Sequence, residues 1–187
     1  MRYPDISELL TARLRLRRLT REDIPLYYAR LGSSEAVTRY MLFAPHQDIS
    51  ESKASIEKAL RRYEEGRCYR WCIARKEDDS LIGVIELLRF DEEAGTCSFA
   101  YMLAEEFWGK GYGTEAVTAV LGYAFEKMDM DSVEVDHMTA NPASGAVMRK
   151  AGMTFVWTIP CAYVKNGEAY DAAQYRMTRA EWFSSKS

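Results

Sequence analysis

The sequence lacks the features that define several large classes of protein. No apolar run approaches the length of a transmembrane helix, and no apolar signal-peptide core is present near the N-terminus. Only two histidines occur, far apart in the sequence, which argues against a metal site built by this chain. The net charge of −3 argues against a nucleic-acid binder that relies on a basic surface. We therefore expect a cytoplasmic protein with no metal, no membrane and no nucleic acid among its partners.

The four cysteines, Cys68, Cys72, Cys97 and Cys161, form no Cys-x-x-Cys pair. Three of them lie in or beside strand-like runs, which predicts buried thiols in a reducing compartment rather than disulfides. Repeats, low-complexity segments and linkers are also missing. With 187 residues, of which 48% are hydrophobic and 28% charged, the sequence predicts one globular domain over residues 1–187.

Hydrophobic periodicity predicts an alternation of strands and helices. Arginine and leucine alternate from Arg13 to Leu19, which predicts a half-buried strand with Leu14 and Leu16 inward. A helix follows, beginning near Thr20 or Asp23. The remaining predicted elements are a helix over 48–63, strands over 69–75, 81–90 and 96–103, a helix over 116–128, a strand over 132–139, a helix after residue 141, and a hairpin of strands 155–164 and 168–177.

Three glycines alternate at every second position between the strand predicted over 96–103 and the helix that follows it. They are Gly109, Gly111 and Gly113. Glycine lets the backbone take positive φ and removes the side chain that would keep a ligand away. The first turn of a helix carries unpaired N–H groups and the positive end of the helix dipole. The run therefore predicts a backbone site for a phosphate or pyrophosphate.

The same run differs from two common phosphate-binding loops. A Walker A loop needs Lys-Ser or Lys-Thr after its last glycine, where this chain has Thr114 and Glu115. The dinucleotide fingerprint Gly-x-Gly-x-x-Gly needs a wider last spacing and a place near the start of a domain. A flexible turn or a helix cap would also use three glycines, but the strand before them and the helix after them favour the phosphate site.

A second motif follows the strand predicted over residues 132–139. Asn141 can cap a helix, Pro142 suits the first helical position, and Gly152 suits the helix end. Together with the upstream run Trp-Gly-Lys-Gly-Tyr-Gly-Thr, this motif resembles the GNAT superfamily of acetyl-CoA-dependent N-acetyltransferases. The opening run 10–23 and the closing run 175–182 are similar to its RimJ/RimL branch. The resemblance thus extends from about residue 9 to residue 182.

The resemblance implies an α/β (α+β) fold with a mixed, mostly antiparallel sheet of seven strands and about four flanking helices. It implies that the sheet splays between its fourth and fifth strands, which are the strand ending at Leu103 and the strand beginning near Val133, to admit the pantetheine arm of acetyl-CoA. The cofactor-binding residues that it implies are Met102, Leu103, Trp108, Gly109, Lys110, Gly111, Tyr112, Gly113, Thr114, Asn141 and Ser144.

Acetyl transfer from a thioester to an amine needs a neutral amine, a donor for the developing oxyanion, and a proton or dipole for the thiolate. Many GNAT enzymes place a tyrosine seven residues after the asparagine, but Met148 stands there and has no proton to donate. The RimJ/RimL pattern places a serine three residues after the asparagine, which is Ser144. Ser144 is therefore the candidate hydrogen-bond donor to the CoA sulfur. The alternative is that Ser144 only satisfies a backbone group of its helix.

The general base departs from the family pattern. The RimJ/RimL branch often carries glutamate in the central strand where Ser98 stands, and a serine is not an independent base near neutral pH. Three substitutes remain open: Glu86, His137, or a water relayed through Ser98 and Tyr101. Histidine exchanges protons near neutral pH, but a lone histidine in an apolar run is more often a core residue. Glu86 interrupts an apolar run and is expected in a cleft or at an edge.

Two classes of function follow from the resemblance. The first is an N-acetyltransferase that acts on a primary amine, either a protein N-terminus, as on a ribosomal protein, or a small amine. The alternative is a non-catalytic acyl-CoA-binding module, in which the missing glutamate and tyrosine reflect lost chemistry. Acetyl-CoA is the expected co-substrate in the first case, and the chain is expected to be a monomer or a homodimer.

Overall fold

The computed structural model describes residues 3–186, and one mixed sheet of eight strands runs through them. The spatial order is β1-β2-β3-β4-β5-β6-β8-β7. All neighbours pair antiparallel except β5 and β6, which are parallel. The strands are Leu9–Leu10 (β1), Leu14–Arg17 (β2), Tyr69–Arg75 (β3), Leu81–Asp91 (β4), Thr96–Leu103 (β5), Ser132–Met138 (β6), Thr154–Lys165 (β7) and Glu168–Thr178 (β8).

Six α-helices flank the sheet within the described residues. They are Ile24–Tyr27 (α1), Glu35–Thr38 (α2), Ile49–Glu64 (α3), Tyr112–Glu126 (α4), Pro142–Lys150 (α5) and Arg179–Ser184 (α6). The predicted fold class is confirmed, with eight strands and six helices in place of seven and four. The added elements are short: β1 has two residues, α2 has four and α6 has six. Such lengths are too short for hydrophobic periodicity to reveal.

Local sequence signals define the starts of several elements. Thr20 and Asp23 form the predicted capping box, in which the backbone N–H of Thr20 donates to the Asp23 carboxylate at 2.8 Å. Leu14 and Leu16 in β2 are fully buried, as their alternation predicts. Cys68, Cys72 and Cys97 are buried free thiols, whereas Cys161 is exposed. No helix in the described part of the chain is long and apolar enough to cross a membrane.

Side chains alternate between the two faces of the sheet, and each face packs against different helices. In β3, the Trp71 ring packs edge-on against Tyr123 of α4, with ring centroids 5.2 Å apart. The neighbouring Arg70 points to the opposite face, where it bonds to Tyr27 of α1. One face therefore carries α4, and the other carries α1 and α3.

The sheet splays between β5 and β6. These two strands pair only at Thr96–Ser132 and Cys97–Val133. Beyond these pairs β5 continues beside β4, and β6 continues beside β8. The splay is the predicted one, because β1 shifts the predicted fourth and fifth strands to β5 and β6. It opens a passage through the sheet between the two helical layers.

Candidate active site

A cleft of about 1090 Å³ opens where β5 and β6 part. This volume lies at the upper end of ordinary ligand sites. Most of the predicted site residues line it: Glu86, Met102, Leu103, Trp108, Gly109, Gly111, Gly113, Thr114, His137, Asn141 and Ser144. The cleft therefore brings together residues from β4, β5, β6, the glycine loop and α5.

Two predicted residues do not line the cleft. The Lys110 ammonium folds back to the carbonyl of Glu106 at 2.7 Å. The Tyr112 ring packs on Phe107 and lies beneath the Arg13 guanidinium, 4.2 Å from the ring centroid. These two side chains therefore contact neighbouring residues of the protein and not the cleft, because successive residues of a tight loop point in different directions. A contribution to ligand binding is left to their backbone groups.

The glycine loop leaves backbone donors free at the start of α4. Gly109 and Gly111 have φ of 71° and 84°, in the left-handed region that favours glycine. Gly111 is the N-cap of α4, and no side chain caps this helix. The N–H groups of Tyr112, Gly113 and Thr114 have no acceptor among residues 3–186. Such a helix start attracts an anion, since both the free donors and the helix dipole point at it.

Gly113 has a different role from the other two glycines. A Cβ at this position would lie 3.4 Å from Val147 of α5 and 3.6 Å from the ring of Tyr101. Its backbone is not in the left-handed region. Both distances are those of ordinary van der Waals contact, so Gly113 lines the cleft beside α5 and Tyr101 without a steric need for glycine.

The loop is anchored by residues that the sequence did not single out. Glu115 accepts hydrogen bonds from the Thr11 hydroxyl at 2.6 Å and from Arg13, through its backbone N–H at 2.8 Å and its Nε at 2.7 Å. Arg13 also donates to the carbonyl of Lys110 at 3.0 Å. Burial would raise the pKa of Glu115, but these hydrogen bonds outweigh it and hold the pKa below its usual range. The only local signal in the sequence was Arg13, at the start of the run in which arginine and leucine alternate.

Asn141 and Ser144 sit together at the start of α5. The Asn141 side-chain oxygen accepts from the backbone N–H of Ser144 at 3.4 Å, so the predicted capping role is present. This cap uses the amide oxygen and leaves the amide NH2 of Asn141 for a ligand in the cleft. The Ser144 hydroxyl is not needed for the cap, because its backbone N–H makes that bond.

Tyr101 completes this side of the cleft, and sequence analysis weighed it only as part of a water relay. Its hydroxyl lies near the Ser144 side chain, which affects the pKa of Tyr101. Burial raises the pKa of Tyr101, and the interaction with Ser144 offsets part of that rise. A neutral tyrosine and a serine thus form a pair of hydroxyl donors at the splay. The sequence signal was weak, since aromatic residues in strands usually belong to the core.

One backbone carbonyl at the end of β5 already accepts a hydrogen bond from within the protein. The indole N–H of Trp108 donates to the carbonyl of Leu103 at 2.6 Å, and the Trp108 side chain is 46% exposed. The predicted pairing of this strand end with a pantetheine arm therefore depends on the other backbone groups of Met102 and Leu103.

The two candidate bases lie in different surroundings. Glu86 pairs in register with Ala100 of β5 and faces the layer of α1 and α3. It has no hydrogen-bond partner among the described residues, and it lines the cleft. The His137 ring stacks on Tyr175, its Nδ1 is 2.8 Å from the carbonyl of Met138, and its buried Nε2 has no partner.

His137 lies next to the end of β6, which ends at Met138, one residue before the predicted end of this strand. A Cβ on Gly145 would lie 2.7 Å from His137 Nε2, which shows that α5 packs directly over the ring. Glu86 is therefore the more accessible of the two groups from the cleft.

Comparison with known proteins agrees with this geometry. The profile of the acetyltransferase (GNAT) domain matches residues 13–154. The chain belongs to the GNAT acetyltransferase family. It is an acetyl-transferring enzyme. It is 32% identical over 129 residues to the uncharacterized N-acetyltransferase p20 from Bacillus licheniformis. This alignment covers 69% of the present chain and 72% of the relative. The family match favours the enzyme over a non-catalytic acyl-CoA-binding module.

Two solved GNAT structures share the fold at low sequence identity. One is RimL, a ribosomal-protein α-N-acetyltransferase in complex with coenzyme A, with a TM-score of 0.81 and 18% identity over 92% of this chain and 98% of that one. The other is a spermidine N-acetyltransferase from Vibrio cholerae in complex with coenzyme A and spermine, with a TM-score of 0.79 and 18% identity over 92% and 99%. GNAT relatives thus bind coenzyme A and act on different amines.

Proposed function

We propose that this GNAT enzyme transfers the acetyl group of acetyl-CoA to the primary amine of an acceptor by direct aminolysis. The observation that carries this proposal is the splay between β5 and β6, which joins a helix start with free N–H groups to a pair of hydroxyl donors and an unpaired glutamate. The relatives that hold coenzyme A share this fold.

The residues present fit the chemical groups of CoA. The free N–H groups at the start of α4 suit the pyrophosphate, and positive φ at Gly109 and Gly111 keeps side chains away from it. The amide NH2 of Asn141 suits a carbonyl of the pantetheine arm. We assign these roles to Gly109–Thr114 and Asn141, with the end of β5 on the opposite wall.

Acetyl-CoA supplies a thioester carbon that an amine nitrogen attacks, so a C–N bond forms as the C–S bond breaks. Glu86 accepts the proton that the acceptor ammonium must lose. Ser144 and Tyr101 donate hydrogen bonds to the sulfur as it becomes a thiolate. No nucleophilic side chain is required, and His137 supports α5 rather than the reaction in this scheme.

The acceptor is a primary amine. RimL acts on a protein α-amine and the Vibrio cholerae enzyme on spermidine, so their common fold allows both a protein N-terminus and a small amine. We propose a RimJ/RimL-like enzyme that works in the cytoplasm as a monomer or homodimer. Three buried free thiols are consistent with a reducing compartment.

Two measurements test this function. CoA at about 100 times its Kd should stabilise the fold by about 2.7 kcal/mol, which a thermal-shift titration detects. Thiol release from acetyl-CoA, screened across small amines and N-terminal peptides, should identify an acceptor. Stabilisation by NAD or ATP instead of CoA would contradict the assignment, and thiol release with no acceptor in a broad panel would return the chain to a binding module.

A further inference from the structure

Two side chains of opposite charge lie side by side in the cleft, on the face of the sheet that carries α1 and α3. Arg70 and Glu86 are direct partners in the antiparallel register of β3 and β4. Both line the cleft and both are partly buried. Cross-strand neighbours of opposite charge normally attract each other. Here the Arg70 guanidinium turns away, donating to the Tyr27 hydroxyl at 2.8 Å and to Ser55 Oγ at 3.2 Å.

Neither charge forms an ion pair among residues 3–186, although Arg70 and Glu86 lie close enough to interact electrostatically. No carboxylate of residues 3–186 lies within ion-pair distance of Arg70, and no donor in that range bonds to Glu86. A guanidinium carries more N–H donors than the two hydroxyls accept. Partly buried charges without an ionic partner cost free energy unless something pairs with them. Both groups are therefore available to a ligand.

The other charged groups of the cleft are already paired or solvated. Asp136 accepts from Arg89 at 3.3 Å and from the Tyr163 hydroxyl. Arg39, Glu105 and Lys150 are exposed to solvent. The partly buried part of the cleft thus holds one positive and one negative charge, on neighbouring strands, that form no ion pair among residues 3–186.

The segment after α2, which lines this half of the cleft, is held in place by hydrogen bonds. The Lys165 ammonium donates to the carbonyls of Thr38, Arg39 and Met41 at 2.8, 3.0 and 2.6 Å. These bonds tie the segment after α2 to the end of β7. This segment, which lines the cleft, is therefore fixed in position.

We propose that the acceptor is a free amino acid, whose carboxylate binds Arg70 while its amine lies beside Glu86. This inference rests on the proposed function and narrows its substrate class. A polyamine would bring a second ammonium next to Arg70, which like-charge repulsion disfavours. A polypeptide N-terminus carries an amide where a free amino acid carries its carboxylate, so Arg70 would stay unpaired.

Matched acceptors test the proposal. Thiol release is measured with free amino acids, with their carboxamides, and with the amines that lack the carboxyl group altogether. The free acid should have a kcat/KM about 10- to 100-fold above that of its amide, the range expected for hydrogen bonds to a charged group. The amide has the less basic amine and thus the larger neutral fraction, so a preference for the acid runs against intrinsic reactivity.

The variant Arg70→Gln tests the residue itself. It should lower kcat/KM for the acid about 10- to 100-fold and leave the amide nearly unchanged, so that the acid-to-amide ratio approaches unity. Arg70→Lys should restore part of the ratio. Arg61→Gln, an exposed position on α3, is the matched control and should keep the wild-type ratio. Calorimetric titration with CoA verifies that each variant is folded.

The outcomes separate the two proposals. Equal losses for acid and amide in Arg70→Gln would mean that Arg70 is structural, and would overturn the inference. Amides, polyamines or N-terminal peptides as better acceptors than amino acids would also overturn it, while the acetyltransferase function stands. CoA binding without thiol release to any amine would overturn the proposed function and the inference together.

Discussion

Removing the Ser144 hydroxyl tests the sulfur side of the cleft. Ser144→Ala keeps the backbone N–H that Asn141 accepts, so α5 should begin at the same residue. The change removes the interaction of Ser144 with the hydroxyl of the partly buried Tyr101. A buried hydroxyl without a partner costs about 1–3 kcal/mol. We expect the free energy of unfolding to fall by an amount near the lower end, because Tyr101 is only partly buried.

The expected effect on catalysis is larger and of a different kind. Loss of one donor to developing negative charge lowers kcat by about 10²- to 10³-fold, or about 2.7–4 kcal/mol. The Kd for CoA should change little, since the bond to sulfur strengthens only as the thiolate forms. Tyr101→Phe should act in the same direction. If the two hydroxyls work as one unit, the double variant loses less than the sum of the single losses.

Three assays separate these effects: thiol release gives kcat, calorimetric titration gives the Kd for CoA, and urea titration gives the free energy of unfolding. Ser184→Ala is the matched control, because Ser184 is an exposed serine at the end of α6. An unchanged kcat in Ser144→Ala would refute the donor role and leave Ser144 as a helix residue. A loss confined to CoA binding would make it a ground-state contact.

Further predictions concern the base, the loop and its anchor. Glu86→Gln should lower kcat by about 10²- to 10⁴-fold, whereas His137→Gln should leave the pH profile of kcat/KM unchanged. The reverse result would make His137 the base. Gly111→Val should abolish the thermal shift caused by CoA, whereas Gly109→Ala, whose Cβ meets no atom within 4 Å, should retain part of it. Equal losses would indicate backbone strain alone. The hydrogen bonds to Glu115 lower its pKa, so their contribution to stability is present above about pH 4.3 and is lost as pH falls through the lower, folded value. Urea titrations at decreasing pH should therefore show a flatter decline for Glu115→Gln, and an unchanged slope would contradict this.

Much of the fold follows from local patterns. Leu14 and Leu16 are buried because alternation in a strand sends every second side chain to one face. The helix start at Asn141 and the hairpin turn after Lys165 follow from capping and turn residues. The helix α4 begins at Tyr112, earlier than the predicted Ala116. Glycine has no side chain, and its backbone can adopt helical geometry as well as positive φ.

The side chains of the glycine loop illustrate where local patterns stop. The spacing of Gly109, Gly111 and Gly113 predicted one shared role, but only two of them need positive φ. The third, Gly113, lies beside Val147, which is on a helix that comes later in the chain, and its backbone is outside the left-handed region. Spacing fixes what the backbone can do, and the neighbours that arrive from elsewhere determine what each position is used for.

The sequence by itself determined the fold class, the loop that frees backbone donors, and Ser144 at the start of α5, because these depend on residues close together in the chain. Only the tertiary structure decided that Nε2 of His137 is buried beneath α5, whereas Glu86 lines the cleft. Only it joined Tyr101 to Ser144, anchored the loop through Arg13 and Glu115, and set Arg70 beside Glu86. Each of these three pairs is made by strand register or helix packing between separate segments of the chain. None of them is encoded in the periodicity of a single segment.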